Sequence, residues 1–309
     1  MEIELLWLAA AAAGGLFGAA VGALQAFVLT GVAVLVGVAV ILAGGDSTFL
    51  DYVGFGPVFG PHISFAGGVA AAAYAARTRT LEAGKDIVTP LVSLSRPDVL
   101  LVGAVFGVLG YLVNGAVAAI PWFGGNTDTV AVTVVVSAII ARLVFGRSGL
   151  PGTVPAGGTR FVPTDDHAWV RYQEKFGQNT VLGLFAGGVG AGATVALTNA
   201  YPEAAGIAQV VLFGVSALSL LFLSVGLSVP VTHHMTLPGG VAAATFLPIV
   251  DGNALAAVVI GAVAGMVGAW LAELFSRFWQ IHGDTHIDPP ASAIWPATTL
   301  VLVAGSLVG

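Results

Sequence analysis

His62-Ile63-Ser64-Phe65-Ala66-Gly67-Gly68-Val69-Ala70-Ala71-Ala72 returns, 172 residues on, as His234-Met235-Thr236-Leu237-Pro238-Gly239-Gly240-Val241-Ala242-Ala243-Ala244. Two further blocks follow in the same order at an offset of 158. Gly103 to Gly110 aligns with Gly261 to Gly268, and Gly125-Asn126-Thr127-Asp128 with Gly283-Asp284-Thr285-His286. Gly, Ala and Val are too common here for one block to carry weight, but their shared order makes an internal repeat the expectation. The offset changes by 14 within the stretch carrying Arg77, Arg79, Lys85 and Arg96, so the first half holds an extra basic loop.

Composition says what the repeated unit is made for. Of 309 residues, 57% are hydrophobic, 43 are Gly and only 8% are charged, against about 25% charged in an ordinary globular chain. Too few charges exist to build a surface facing water, so the expected solvent is lipid. Absence of Cys excludes disulfides, iron–sulfur clusters, thiolate zinc sites and cysteine nucleophiles. A net charge of -6 excludes nucleic acid as a partner.

Crossing about 30 Å of hydrocarbon takes about 20 apolar residues as helix. Eight stretches qualify: 5–24, 26–44, 98–120, 129–146, 179–198, 207–229, 254–274 and 291–308. Two more, 62–75 and 238–250, are too short to cross alone. Each follows a Gly/Pro-rich approach, Gly54 to Pro61 and Val229 to Pro238, that reads as extended chain rather than helix. Broken segments of this kind belong inside protein or along a cavity. Met1-Glu2-Ile3-Glu4 lacks a basic leader, so no signal peptide is expected.

The expected fold class is therefore an all-α polytopic membrane protein of about ten segments in two homologous five-segment halves. Membrane repeat A covers 1–146, a polar cytoplasmic linker 147–177, and repeat B 178–309. Five is odd, so ten crossings invert one half relative to the other. Ten crossings also put all ten Lys and Arg on one side, the cytoplasmic one, whereas eight crossings leave Arg277 as the exception. We expect ten.

The two-times-five plan resembles the layout of urea and ammonium channels in architecture alone; none of their diagnostic motifs is present, so no site residues carry over. Eight Arg against two Lys, ten Asp and the pair Asp165-Asp166 resemble an uncharacterised permease-like family of multi-pass membrane proteins from halophilic archaea. That resemblance is compositional and implies no substrate.

Ionisable groups at membrane depth are costly and draw attention first. His62 and His234 begin the two short segments, where helix N-termini can receive an anion or a polar neutral solute; capping is the alternative role. Gly67, Gly68, Gly239 and Gly240 suit close helix packing or a pore wall. Ser64 and Thr236 suit a backbone bond or a solute contact. The densest polar cluster is His282, Asp284, His286 and Asp288. At alternate positions of an extended strand they would share one side, as a metal site, a gate or proton relay joined by Asp128, or a solvated loop. The first half has no His in the matching stretch, which argues against symmetric metal binding. Asn114 and Glu273 are further buried candidates, and Trp122 and Trp279 read as interfacial anchors.

The function expected is a membrane transporter or channel for a small polar solute or anion, with its site between the repeats at the starts of the short helices and no cofactor. The alternatives are an intramembrane metal-dependent enzyme using the 282–288 cluster and a membrane subunit of a larger transport complex. Expected partners are the lipid bilayer and the solute; a homo-oligomer is compatible with the chain.

Overall fold

The computed structural model describes residues 4–164 and 166–309; Met1, Glu2, Ile3 and Asp165 lie outside the described residues. The described residues are all-helical, with ten α-helices: α1 (Leu5–Val21), α2 (Ala23–Leu42), α3 (Ser64–Arg77), α4 (Pro97–Ala118), α5 (Thr129–Phe145), α6 (Phe176–Ala200), α7 (Val211–Ser224), α8 (His233–Phe246), α9 (Ala254–Phe275) and α10 (Pro289–Val308). Each of the ten apolar stretches forms one helix. Local chemistry sets several starts. Asp128, Asn253 and Asp288 cap α5, α9 and α10 by accepting from Ala131, Ala256 and Ala291, and Pro97 and Pro289 occupy first turns where a missing N–H costs nothing.

Five candidate spans are long and apolar enough to cross a membrane: 23–42, 97–118, 176–200, 254–280 and 289–308. Their outward faces carry bare apolar side chains, among them Val105, Phe185, Val259 and Leu300. Several apolar helices are thus compatible with a multi-pass membrane protein.

One boundary differs from expectation. Helix α8 begins at His233 and runs through Pro238, where the sequence suggested extended chain. Pro238 has no N–H for the His234 carbonyl, and that carbonyl instead meets α9 at Gly268, where no Cβ would fit. The first half does the same without a proline. The Ala66 N–H bonds the Pro61 carbonyl, and the His62 carbonyl meets α4 at Gly110.

Helix packing follows one scheme in both halves. α1, α3 and α4 pack mutually, and so do α6, α8 and α9. Gly15 lies on Gly103 and Gly107 as Gly187 lies on Gly261 and Gly265, and Gly18 lies on Ser64 as Gly190 lies on Thr236. These partners stand at the offsets of 172 and 158. Without Cβ atoms the backbones approach closely, which is how helices gain contact where burial from water is no driving force. The short helices α3 and α8 are enclosed by their neighbours, α3 on nearly every face.

Two seams join the first five helices to the last five, α2 on α7 and α5 on α10. Polar loops close one end. Arg277 donates to the Phe161 and Glu174 carbonyls of the linker, Lys85 to those of Gln280 and Ile281, and the Arg147 N–H to Asp284. Arg277 therefore stands at the same end as the linker.

Candidate functional site

Between the two seams lies a cavity of about 660 Å³. Its walls come from both halves: Leu24 and Phe27 of α2, Phe65 of α3, Val134 of α5, Phe213 and Leu220 of α7, His233 and Leu237 of α8, and Ile294 of α10. Phe65 and Leu237 stand 172 residues apart, as do Pro61 and His233, which also border it. Phe27 and Phe213 meet edge to face across the α2–α7 seam with ring centroids 5.8 Å apart, and the His233 ring lies 4.7 Å from Phe27. Residues 168–172 of the linker and Lys85, Ile87 and Val88 of the basic loop border one mouth.

Polar groups enter this mostly apolar space at a few points. The main one is a chain of four bonded groups. Gln280 Oε1 accepts from the Ile287 N–H at 2.9 Å, which turns the amide nitrogen to His286 Nδ1, also at 2.9 Å. His286 Nε2 then carries the proton and donates to Asp288 Oδ1 at 3.2 Å, while Asp288 Oδ2 accepts from Ala291 N at 2.7 Å. Gln280, His286 and Asp288 all face the cavity, and so does Asp128 at the start of α5. Every member has a partner, so the dyad is held rigidly.

The four residues of the 282–288 cluster do not share a side. His282 Nε2 faces the Thr159 carbonyl at 3.3 Å, and Asp284 accepts from Arg147 N at 2.6 Å and Ser148 Oγ at 2.7 Å, so both point into the linker, away from His286 and Asp288. An isolated bridge of Thr285 to Gly84 and a turn at 281–282 interrupt the regular alternation assumed from the sequence. Among the described residues no group of three or more His, Cys, Asp or Glu is placed to hold a metal ion. Burial pushes the His282 imidazole down, with the Arg160 and His167 charges adding. Burial alone would raise the Asp284 carboxyl; bonds from Ser148 and Arg147 outweigh it and hold the group below its ordinary value. Burial, helped by the Arg142 charge, lowers the Lys85 ammonium.

The other expected residues lie behind the wall. Gly67 and Gly239 pack on Gly15 and Gly187, and Gly68 and Gly240 on Ala23 and Gln209. Ser64 Oγ donates to the Phe59 carbonyl, and Thr236 Oγ1 pairs with Ser216 Oγ. His62 and His234 are buried, with Nδ1 of the first and both ring nitrogens of the second lacking a hydrogen-bond partner. His233, next to His234, is the histidine of α8 that borders the cavity. Glu273 pairs with Arg277 at 2.6 Å, and the Asn114 carbonyl oxygen is buried without a partner. Trp122 is exposed as an anchor would be, but Trp279 is buried against Phe275.

Arg142, 1% exposed within α5, was missed as a structural centre. Its guanidinium donates to Thr285 Oγ1 at 2.9 Å and to the carbonyls of Leu150, Trp279 and Thr285, clamping linker and 279–285 loop onto α5. One cation inside the apolar run from Val130 to Phe145 was the available signal. The Phe27–Phe213 pair had none, since neither falls in a repeated block.

An all-helical apolar bundle, enclosing a cavity between two sets of helices with matching contacts, is the class that fold and site define. The chain belongs to the Family of unknown function (DUF7973), whose model matches it in two overlapping segments, residues 1–163 and 152–309. No curated protein matches the chain, and no solved structure matches it.

Proposed function

We propose that the chain is an integral membrane transporter or channel in which two inverted five-helix repeats enclose a small solute at the starts of α3 and α8. The observation that carries this reading is the cavity, bordered by the same positions of both halves, Phe65 with Leu237 and Pro61 with His233. Matching glycine contacts at the two offsets support the repeat. The Arg277 bonds to linker carbonyls support ten crossings, because an even number of spans then separates Arg277 from the linker and all basic residues share the cytoplasmic side. His286 and Asp288 are the groups placed to bind the solute or pass a proton, with Asp128 further along the wall.

The natural absence of Cys makes the test clean. Single cysteines at Ala156, Ala119, Phe65 and Leu237 are exposed to a membrane-impermeant thiol reagent in vesicles of each orientation. Ala156→Cys in the linker reacts from the cytoplasmic face, Ala119→Cys from the outer face, and Phe65→Cys and Leu237→Cys from water despite lying between helices. Cavity cysteines inert from both faces while the two loop cysteines react would overturn the reading.

A further inference from the structure

Resting on that reading of the cavity, we propose that its solute is a lipophilic organic cation: a positively charged centre, such as an ammonium or phosphonium, carried on an apolar body. The wall selects the body. Phe27, Phe55, Phe65 and Phe213 surround the space with apolar and aromatic surface, to which a small hydrated ion would lose its water without return. A cation spread over an apolar skeleton instead gains burial and the attraction of ring faces. The volume of about 660 Å³ lies in the range of small-molecule sites, about 300–1,000 Å³.

The fixed charges select the sign. Helix N-termini would be the natural receptors for an anion, but those of α5 and α10, which open onto the cavity as the start of α8 does, are filled by the chain's own carboxylates, Asp128 and Asp288. An anion placed there meets two like charges. A carboxylate has about four lone-pair sites; Asp288 uses two toward Ala291 and His286, so acceptor capacity remains toward the cavity. From Asp288 to Trp295, near whose carbonyl Thr127 sits, the rise of α10 is about 10 Å, so the two carboxylates stand well apart along one wall. The bordering cations are set differently. Lys85 turns its ammonium to the Gln280 and Ile281 carbonyls, and Arg171 is an exposed residue of the linker. Independently of the charges, the buried His233 ring borders the cavity between Phe27 and Phe213 and adds to its aromatic lining.

Tetraphenylphosphonium and tetraphenylborate share a four-phenyl shape and carry opposite charge, so together they separate sign from apolarity. Binding of each to the full chain in lipid nanodiscs is measured by equilibrium dialysis, with protein-free nanodiscs subtracted. The phosphonium is expected to bind about tenfold or more tighter than the borate. Asp128→Asn and Asp288→Asn each keep a good helix cap while removing the charge, and each is expected to weaken the phosphonium about tenfold without weakening the borate. Phe213→Leu is expected to weaken the phosphonium more than the borate. Equal binding of the two ions, tighter borate, no saturable binding of either, or indifference to both Asn variants overturns the cation assignment. The transporter reading stands or falls separately on water access at Phe65→Cys and Leu237→Cys.

Discussion

Two loops lead into the last helix of each set of five, and they share little beyond position. Residues 119–128 are tied lightly: Trp122 is 63% exposed, the Asn126 side chain bonds back to the Trp122 carbonyl, and Thr127 reaches α10, accepting from Thr299 Oγ1 at 2.8 Å. In residues 276–288, Trp279, Ile281, Thr285 and His286 are all buried, held by Arg142, Lys85 and the start of the linker. Both loops end in an aspartate that caps a helix, yet the first touches α10 through the Thr127 hydroxyl while the second is gripped by Arg142, Lys85 and the linker. Packing between glycines is conserved across the halves down to single residues, while the polar ends have diverged. The difference teaches that helix crossings set the frame, and that charge decides which end of the frame is sealed.

Arg142→Met attacks the sealed loop most directly. It leaves the Trp279 and Thr285 carbonyls and Thr285 Oγ1 buried without a donor, and the expected cost is about 4 kcal/mol, read as a large fall in Tm by scanning fluorimetry in detergent. Trp279→Ala is expected to cost about 3 kcal/mol through the cavity it opens, whereas Trp122→Ala stays within about 0.5 kcal/mol. Equal effects at the two tryptophans would erase the contrast. Gly110→Ala and Gly268→Ala test the conserved side: each drives a methyl into a histidine carbonyl, and each is expected to cost about 2 kcal/mol. Strongly unequal losses would break the equivalence of the halves.

The smallest effect concerns acid. The folded Asp284 carboxyl is held below its unfolded value of about 4. Its bonds to Arg147 and Ser148 therefore stabilise fully above that pH and fade as pH falls through the lower folded value. Asp284→Asn is expected to lower Tm near neutral pH and to lose less than the parent chain between about pH 6 and pH 3; an unchanged acid slope would show that this carboxylate does not contribute.

Each helix was legible from an apolar run, because so few charged residues interrupt the ten stretches. The start of α8 was not, since Pro238 looks like a breaker until the carbonyl it releases is seen against Gly268. Asp288 and Asp128 were legible as polar residues beside apolar runs, but their shared role as caps pairs them at an offset of 160, two from the alignment that matched Asp128 with His286. Of the cavity rings, Phe65 falls in a repeated block, but Phe27, Phe55 and Phe213 lie outside them all. Which side His282 and Asp284 face depends on the linker, a partner that no local spacing encodes.

Synthesis runs in one direction, and this gives the buried guanidinium of Arg142 a place in time. Two of its acceptors are made 137 and 143 residues after it, so the nascent fifth helix carries an unmatched cation until nearly the whole protein has left the ribosome. A fragment ending before residue 279 never meets that need, and maturation of the early helices must wait for the late ones.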